Sequence, residues 1–350
     1  MAHGSTPARR WPRGRGVACA VVAAWLCVLF APASAGALDE GPLSVEAVGF
    51  QYLRHDVSTG QRALAIEAGS AGAAGDEVRL RNVSLVRYRE GRPALTATSR
   101  AGLVKRDAGA VLEGGVELTW RGDSAEAVFE VDALRYERRL GAVRSHSSVT
   151  GVIGGTAEDG GEVRLILDGN GLLAGSPGRG AGDARVLRDV VLEVSGATDD
   201  PWVISADGGV QIESAANSTT LRFAGPVEGR SARLTWSADE VELVLAAARG
   251  GELRLVRAFA SGNVNASGTH PALAGRAPGD GDGRDARFRA AAVAAEVGPD
   301  GDAVVLGTIA DPARVAFTGG ELRGTRLVLA RDAVSSSGGA TSVFVWDDRP

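Results

Sequence analysis

The sequence predicts an all-β protein built from short antiparallel strands, and three observations lead to this prediction. Apolar and polar residues alternate with a period of two in many short segments, such as Val116-Glu117-Leu118-Thr119-Trp120. Turn-forming residues separate these segments at intervals of about ten to fifteen residues. Glycine is abundant, at 49 of 350 residues, while aromatic residues make up only 5%. This composition suits slim, repetitive strands better than a large helical core.

The alternating segments run along most of the chain, and each predicts a strand with one buried face. They are 78–80, 83–85, 116–120, 163–165, 190–194, 253–255, 304–306 and 327–329. Turn signals rich in Gly, Pro and Asp lie between them at 89–93, 107–109, 197–201 and 298–301.

The segments belong to an internal repeat. Ser205-Ala206-Asp207 recurs as Ser237-Ala238-Asp239, an offset of 32 residues, and Ala101 and Ala133 begin similar units at the same offset. A unit ends in glycine and valine, as at 112–116 and 261–264. Such self-similarity predicts stacked units that bury their apolar faces against neighbouring units.

Two segments, 241–248 and the alanine-rich 287–297, have helical propensity. Each occupies the strand position of the repeat, so we predict strands there. Glycine-rich 175–182 is expected to be a linker between two arrays, 268–285 a long loop inside the second array, and 333–350 a tail.

The first 35 residues have the pattern of a secretory signal. Four arginines at positions 9 to 15 precede an apolar core at 17–30, which is shorter than the roughly 20 residues of a spanning helix. Ala33 and Ala35 are the small residues of a cleavage site. Cleavage after Ala35 is expected, and the alternative is a retained anchor in the inner membrane. In both cases the remaining chain is exported.

Composition excludes several classes of function. Both cysteines, Cys19 and Cys27, lie in the signal segment, so no disulfide or thiolate metal site is expected in the exported part. That part has 34 basic and 43 acidic side chains, a formal charge of −9, which argues against nucleic-acid binding. The single lysine, Lys105, is not part of a phosphate-binding GxxxxGK[ST] loop.

No motif for catalysis or for a metal or other cofactor stands out. His55, His146 and His270 lack metal-ligand spacing, and no GxSxG nucleophile motif occurs. Asp280, Asp282 and Asp285 lack the order of a calcium loop, so we interpret them as a solvated loop. We therefore expect neither a cofactor nor an enzyme.

The first array contains a set of short motifs: 78–85, Gly91-Arg92-Pro93, Leu95-Thr96-Ala97-Thr98 ahead of Ala101-Gly102, the Leu-x-Gly-Gly-Val ending at Val116, and 131–136. With these motifs it resembles the LptC and LptA (OstA-like) family of periplasmic bridge proteins in lipopolysaccharide export. Residues 43–153 are similar to the LptC-type module, and 183–332 to a more degenerate LptA-type module.

The resemblance implies an open, V-shaped jelly roll whose apolar interior passes the acyl chains of lipid A towards the outer membrane. It implies a periplasmic protein without catalysis that works in outer-membrane biogenesis. Its partners would be lipopolysaccharide, an inner-membrane ABC transporter complex, and other jelly-roll modules that pair edge to edge. From edge pairing we expect a docking edge near 327–329.

Eight aliphatic residues of the first array are candidates for a lipid groove: Leu80, Val83, Leu85, Leu95, Leu112, Val116, Leu118 and Leu134. Leu80 and Val83 differ in parity, so a bulge near Arg81-Asn82 is needed to bring both to one face. The alternative is that these residues fill a closed core, as in a structural or adhesive β-solenoid without a ligand. A carbohydrate-active solenoid enzyme would need clustered carboxylates, and those found are scattered.

The position of the mature amino terminus is testable. We predict that the exported protein begins at Gly36 and is recovered in the soluble periplasmic fraction, because Pro32 breaks the apolar helix just before the cleavage site. Amino-terminal sequencing of the exported protein measures this directly. An intact chain beginning at Met1 in the membrane fraction would show instead that the segment is retained as an anchor.

Overall fold

A computed structural model describes residues 45–74, 76–105, 109–137, 141–156, 162–175, 183–195, 201–215, 217–247, 253–270, 286–298, 302–317, 320–330 and 334–336. The signal segment and the aspartates at 280, 282 and 285 lie outside the described residues. Within these ranges no helix has the length and hydropathy needed to cross a membrane.

The described chain is all β, as predicted. Its twenty strands are β1 (Val45–His55), β2 (Arg62–Ala74), β3 (Glu77–Arg89), β4 (Arg92–Lys105), β5 (Gly109–Arg121), β6 (Glu126–Glu137), β7 (Ala142–Thr156), β8 (Glu162–Ala174), β9 (Asp183–Ser195), β10 (Trp202–Ala206), β11 (Val210–Ala215), β12 (Ser218–Arg230), β13 (Leu234–Ala247), β14 (Leu253–His270), β15 (Ala286–Val297), β16 (Ala303–Leu306), β17 (Ala313–Phe317), β18 (Gly320–Gly324), β19 (Arg326–Leu329) and β20 (Val334–Ser336).

The strands form one antiparallel sheet that follows the order of the chain. Each strand pairs with the next one from β1 to β9 and from β12 to β15. The short strands β10 and β11 together fill one position between β9 and β12, and β16 and β17 together fill the position beside β15. At the end, β18 pairs with β17, β19 with β16, and β20 with β19.

A line of irregularities crosses the sheet near the middle of the strands. It includes the left-handed residues Asn82 and Asp189, with φ of 53° and 52°, and register shifts between Glu113 and Val116 and between Ser261 and Val264. Gly, Asn and Asp are the residues that adopt the left-handed conformation at low cost. At such a residue the alternation of side chains changes phase, so both halves of a bent strand keep their apolar residues on the same face.

Asn82 shows how the bend works. Leu80 and Val83 are both only 2% exposed, although they differ in parity, because Asn82 between them is left-handed. The predicted irregularity at Arg81-Asn82 is therefore present. It is a left-handed kink rather than an inserted residue, since Arg81 and Val83 stay in register with β2 and β4.

The 32-residue repeat corresponds to two strand positions of the sheet. Ala206 and Ala238 are equivalent residues of two repeat units, 32 residues apart. They are buried, at 3% and 4% exposure, on β10 and β13. Asp207 and Asp239 follow them on the line of bends, and Asn263 of β14 donates a hydrogen bond to Asp239 at 2.7 Å. The repeated sequence thus marks the recurring bend.

The sheet also curls on itself. Ser124, in the turn between β5 and β6, lies with its hydroxyl 3.0 Å from that of Ser214 on β11 and 2.8 Å from that of Thr219 on β12. Four strand spacings separate β6 from β11, which would be about 19 Å in a flat sheet. Arg87 of β3 likewise donates a hydrogen bond to the carbonyl of Gly175, just after β8. One face of the sheet is thereby enclosed, as in a jelly roll.

The two predicted arrays are continuous. β8 and β9 pair directly across the predicted linker, of which only Gly175 is among the described residues. One apolar cluster extends from Phe50 of β1 to Val264 of β14, and a smaller one joins Phe288 to residues of β16–β19. Within the described chain, the core is divided near β14 and β15 rather than at 175–182.

The predicted strand segments are confirmed, and three other local predictions need correction. The segments at 241–247 and 287–297 are strands, as expected. Residues 268–270 of the predicted loop belong to β14 instead, and the rest of it lies outside the described residues. The predicted tail contains β20 at 334–336, and this strand covers Leu327–Leu329, which therefore do not form the edge of the sheet.

Two glycines on the line of bends test how tightly the strands approach there. Gly209 and Gly115 have similar φ angles of 87° and 82°. A Cβ atom at Gly209 would lie 2.4 Å from the carbonyl oxygen of Val186, whereas one at Gly115 would meet nothing within 4 Å.

We expect Gly115→Ala to lower the free energy of unfolding by about 1–2 kcal/mol, the cost of a left-handed alanine. Gly209→Ala should lower it by about 3 kcal/mol or more, because the backbone of β9 must also move. Denaturant unfolding followed by circular dichroism measures both values. Equal losses for the two variants would contradict the close approach at Gly209.

Candidate functional site: the interior of the sheet

The eight candidate groove residues all lie in the interior of the sheet. Leu80, Val83, Leu85, Leu95, Leu112, Val116, Leu118 and Leu134 are each at most 2% exposed and belong to the same apolar cluster. They come from β3, β4, β5 and β6, where period-two alternation and the mid-strand bends bring them to one face. The structure therefore brings together the whole predicted set, within a packed interior that is closed to water at these positions.

No charged side chain is fully buried in the described interior, and the partly buried Arg87 lies only at one end of it. The buried polar side chains among the described residues are the hydroxyls of Ser145, Ser214 and Thr219. Charged side chains project from the outer face, where Lys105 pairs with Glu77 and Arg121 lies 2.7 Å from Glu126. Such an interior can bind apolar groups and offers no partner for a buried charge.

Arg87 closes one end of the first array. Its guanidinium reaches from β3 to the carbonyl of Gly175, and burial lowers the pKa of Arg87 from its ordinary value. The group stays charged at neutral pH because the pKa of arginine is far above 7. Its role here is to join the ends of β3 and β8 across the curled sheet.

The inward side chains become smaller and less buried between β14 and β15. Val264, on the inner face, is paired with Ala292, and alanines occupy most of the neighbouring inward positions of both strands. These alanines are only partly buried, in contrast to the aliphatic and aromatic residues of β3 to β6. They are Ala258, Ala260, Ala266, Ala290, Ala292 and Ala295. The interior is therefore shallow and open to solvent at this point of the described chain.

The alanine-lined stretch was missed from the sequence as part of a candidate site. The signal was present, because 287–297 is rich in alanine and was placed in a strand. Alternation cannot assign its faces, however, since alanines also occupy outward positions such as Ala291, which is exposed. The bend between Ala292 and Ala295 further changes which residues face inward.

The edges of the sheet are the second feature relevant to function. Among the described residues, β2 is the one strand that pairs with β1, which makes β1 an edge strand of the described sheet. Val48 on this strand is 92% exposed. The edge expected at Leu327–Leu329 is instead paired on both sides, with β16 and with β20.

The described residues contain no group of three or more His, Cys, Asp or Glu side chains that could hold a metal ion. His55 lies at the end of β1 and His146 in the middle of β7, far apart in strand order.

No known family model matches the chain, and no curated protein is significantly similar to it.

A pair of alanine substitutions tests the contrast between the closed and open parts of the interior. Ala97 is fully buried on β4 between Leu85 and Leu118, whereas Ala292 is partly exposed. We expect Ala97→Leu to lower the free energy of unfolding by about 1–3 kcal/mol, because it overpacks the core. Ala292→Leu should change it by less than about 0.5 kcal/mol.

Denaturant titration of the two variants measures this difference. Similar destabilisation by both substitutions would show that the interior is equally closed at β15 and would contradict the proposed opening.

Proposed function

We propose that this protein is a periplasmic, non-enzymatic bridge component of lipopolysaccharide transport that holds acyl chains in its apolar interior. In this proposal it receives lipid from an inner-membrane ABC transporter complex and passes it towards the outer membrane. The single observation that supports it most is the continuous apolar interior that extends from β1 to β14 in one curled sheet. The resemblance of 43–153 and 183–332 to the bridge family provides the identity of the lipid.

Apolar burial, rather than charge, would supply the affinity. The exported part carries a formal charge of −9, which repels an anionic glycolipid as a whole. Burial contributes about 0.8 kcal/mol for each methylene removed from water. An acyl chain with ten buried methylenes could therefore gain on the order of 8 kcal/mol without any ion pair.

The alanine-lined stretch of β14 and β15 is the part of the described interior best suited to admit a chain. Small, partly exposed side chains such as Ala260 and Ala292 leave inner surface uncovered there. The eight residues of β3 to β6 are packed, so a lipid would contact them only after the first array opens. Transfer along the sheet would then proceed between the open stretch and the first array.

Edge pairing would connect the protein to other jelly-roll modules. In the described sheet β1 is an edge strand, and an edge strand can add a strand from another module. At the other end, the short strand β20 rather than β19 is the last described strand of the sheet.

A second candidate function is a structural or adhesive β-solenoid that binds no ligand. The observation that favours it is the near-complete burial of all eight candidate groove residues. A solid core of this kind is what a purely structural sheet needs. The two functions differ in whether lipid enters at β14 and β15.

Photo-crosslinking in a lipopolysaccharide-producing host distinguishes them. A photoreactive phenylalanine analogue at Ala292, which faces the interior, should form adducts of lipopolysaccharide mass. The same group at Thr98, which is exposed on the outer face of β4 next to the buried Ala97 and lies away from β12–β15, is the control and should form several-fold fewer. Equal labelling at both positions, or none in folded protein, would favour the structural alternative.

A further inference from the structure

A row of polar side chains crosses four strands on the outer face of the sheet, opposite the interior. Arg230 of β12 is paired with Thr235 of β13, Thr235 with Ser267 of β14, and Ser267 with Arg289 of β15. Directly paired residues of antiparallel strands project from the same face. The hydroxyls of Thr235 and Ser267 lie 2.9 Å apart between the two arginines.

Two more arginines extend this row. Arg287 precedes Arg289 by two residues on β15 and therefore shares its face. Arg233 lies in the turn between β12 and β13, and its carbonyl accepts a hydrogen bond of 3.0 Å from the N–H of Thr269, the residue paired with Arg287. We call Arg230, Arg233, Arg287 and Arg289 the outer arginine patch.

The turn that carries Arg233 is held in place. The Ser231 hydroxyl accepts hydrogen bonds from the N–H groups of Arg233 and Leu234, at 3.3 and 3.2 Å. The turn presses against β14 at Gly268, where a Cβ atom would lie 2.3 Å from the carbonyl oxygen of Arg233. The position of Arg233 beside Arg287 is thus fixed by the backbone.

The patch lines two adjoining surface grooves of about 730 and 720 Å³. Thr235, Ser267 and Arg289 belong to both grooves. Further hydrogen-bonding side chains line the first, among them Ser237 and Asn265. Apolar residues such as Val191 and Phe317 also line the grooves, which together form an extended surface rather than a single compact pocket.

The arginines of the patch differ from others on the outer face. Among the described residues, none of the four forms an ion pair, and one acidic residue, Glu228, lines the first groove. By contrast, Arg222 and Arg257 lie 3.0 and 2.7 Å from Glu242. Burial alone would raise the pKa of Glu242, but the hydrogen bonds from these arginines outweigh it, so its pKa is below the usual range.

We propose that the outer arginine patch binds an oligosaccharide that carries phosphate or carboxylate groups. Guanidinium groups bind such anions with two parallel hydrogen bonds, and hydroxyl and amide side chains suit the hydroxyls of sugars. Arg230 and Arg289 are three strand spacings apart, about 14 Å, so the row fits a chain of sugars better than one ring. This site goes beyond the lipid-binding function and does not depend on it.

Titration calorimetry with hexagalacturonate as the probe tests the proposal on the full exported chain. We expect Arg287→Ala/Arg289→Ala to weaken binding at least 10-fold at low salt. The matched control is Arg79→Ala/Arg81→Ala, which removes two exposed arginines at the same spacing from the outer face of β3. It should change binding by less than about 2-fold.

Thermal unfolding checks that each double variant folds as the wild type does. Arg230→Ala, on another strand, provides a second test, and we expect it to weaken hexagalacturonate binding several-fold. Equal weakening by the β3 control would overturn the proposal, because binding would then follow net charge. Equal binding of neutral maltohexaose would exclude anion recognition. Binding of inorganic phosphate as tight as that of hexagalacturonate would exclude an extended oligosaccharide site.

These outcomes are separate from those of the lipid experiment. The probe has no acyl chain, and Arg287 and Arg289 project away from the interior that Ala292 faces. Failure of hexagalacturonate binding would therefore leave the lipid proposal intact, and the absence of lipid adducts would leave the outer site intact.

Discussion

The structure depends on one constraint, which is that a single antiparallel sheet must bury its apolar face against itself. No helix or second sheet among the described residues is available to cover that face. Long strands such as β5 can meet this requirement only if they bend and if the sheet curls. The left-handed residues and bulges in mid-strand supply the bend, and contacts such as Ser124 with Ser214 fix the curl.

This constraint separates the chemistry of the two faces. Inward positions carry mainly aliphatic and aromatic residues with a few buried hydroxyls such as Ser145, and most charged side chains lie at outward positions. Because alternation changes phase at each bend, both halves of a strand contribute to both surfaces. The proposed lipid site and the proposed oligosaccharide site therefore lie on opposite faces of the same strands, β14 and β15.

Much of this architecture could be predicted from the sequence because its signals are local. Alternation predicted the strands, the 32-residue repeat predicted regularly stacked units, and the parity of Leu80 and Val83 predicted an irregularity near Arg81-Asn82. The continuity of the sheet across 175–182 could not be predicted, since a glycine-rich segment is compatible with a linker or a turn. The outer arginine patch depends on strand register, which brings Arg230 and Arg289 into one row across four strands.

The central claim is that the interior holds lipid, and native mass spectrometry of the protein tests it most directly. The protein would be purified under mild conditions from a lipopolysaccharide-producing host and its intact mass measured together with any bound molecules. The account predicts a population whose added mass equals that of lipopolysaccharide or its lipid A part. A folded protein that shows only the mass of the polypeptide would contradict it and would favour a purely structural sheet.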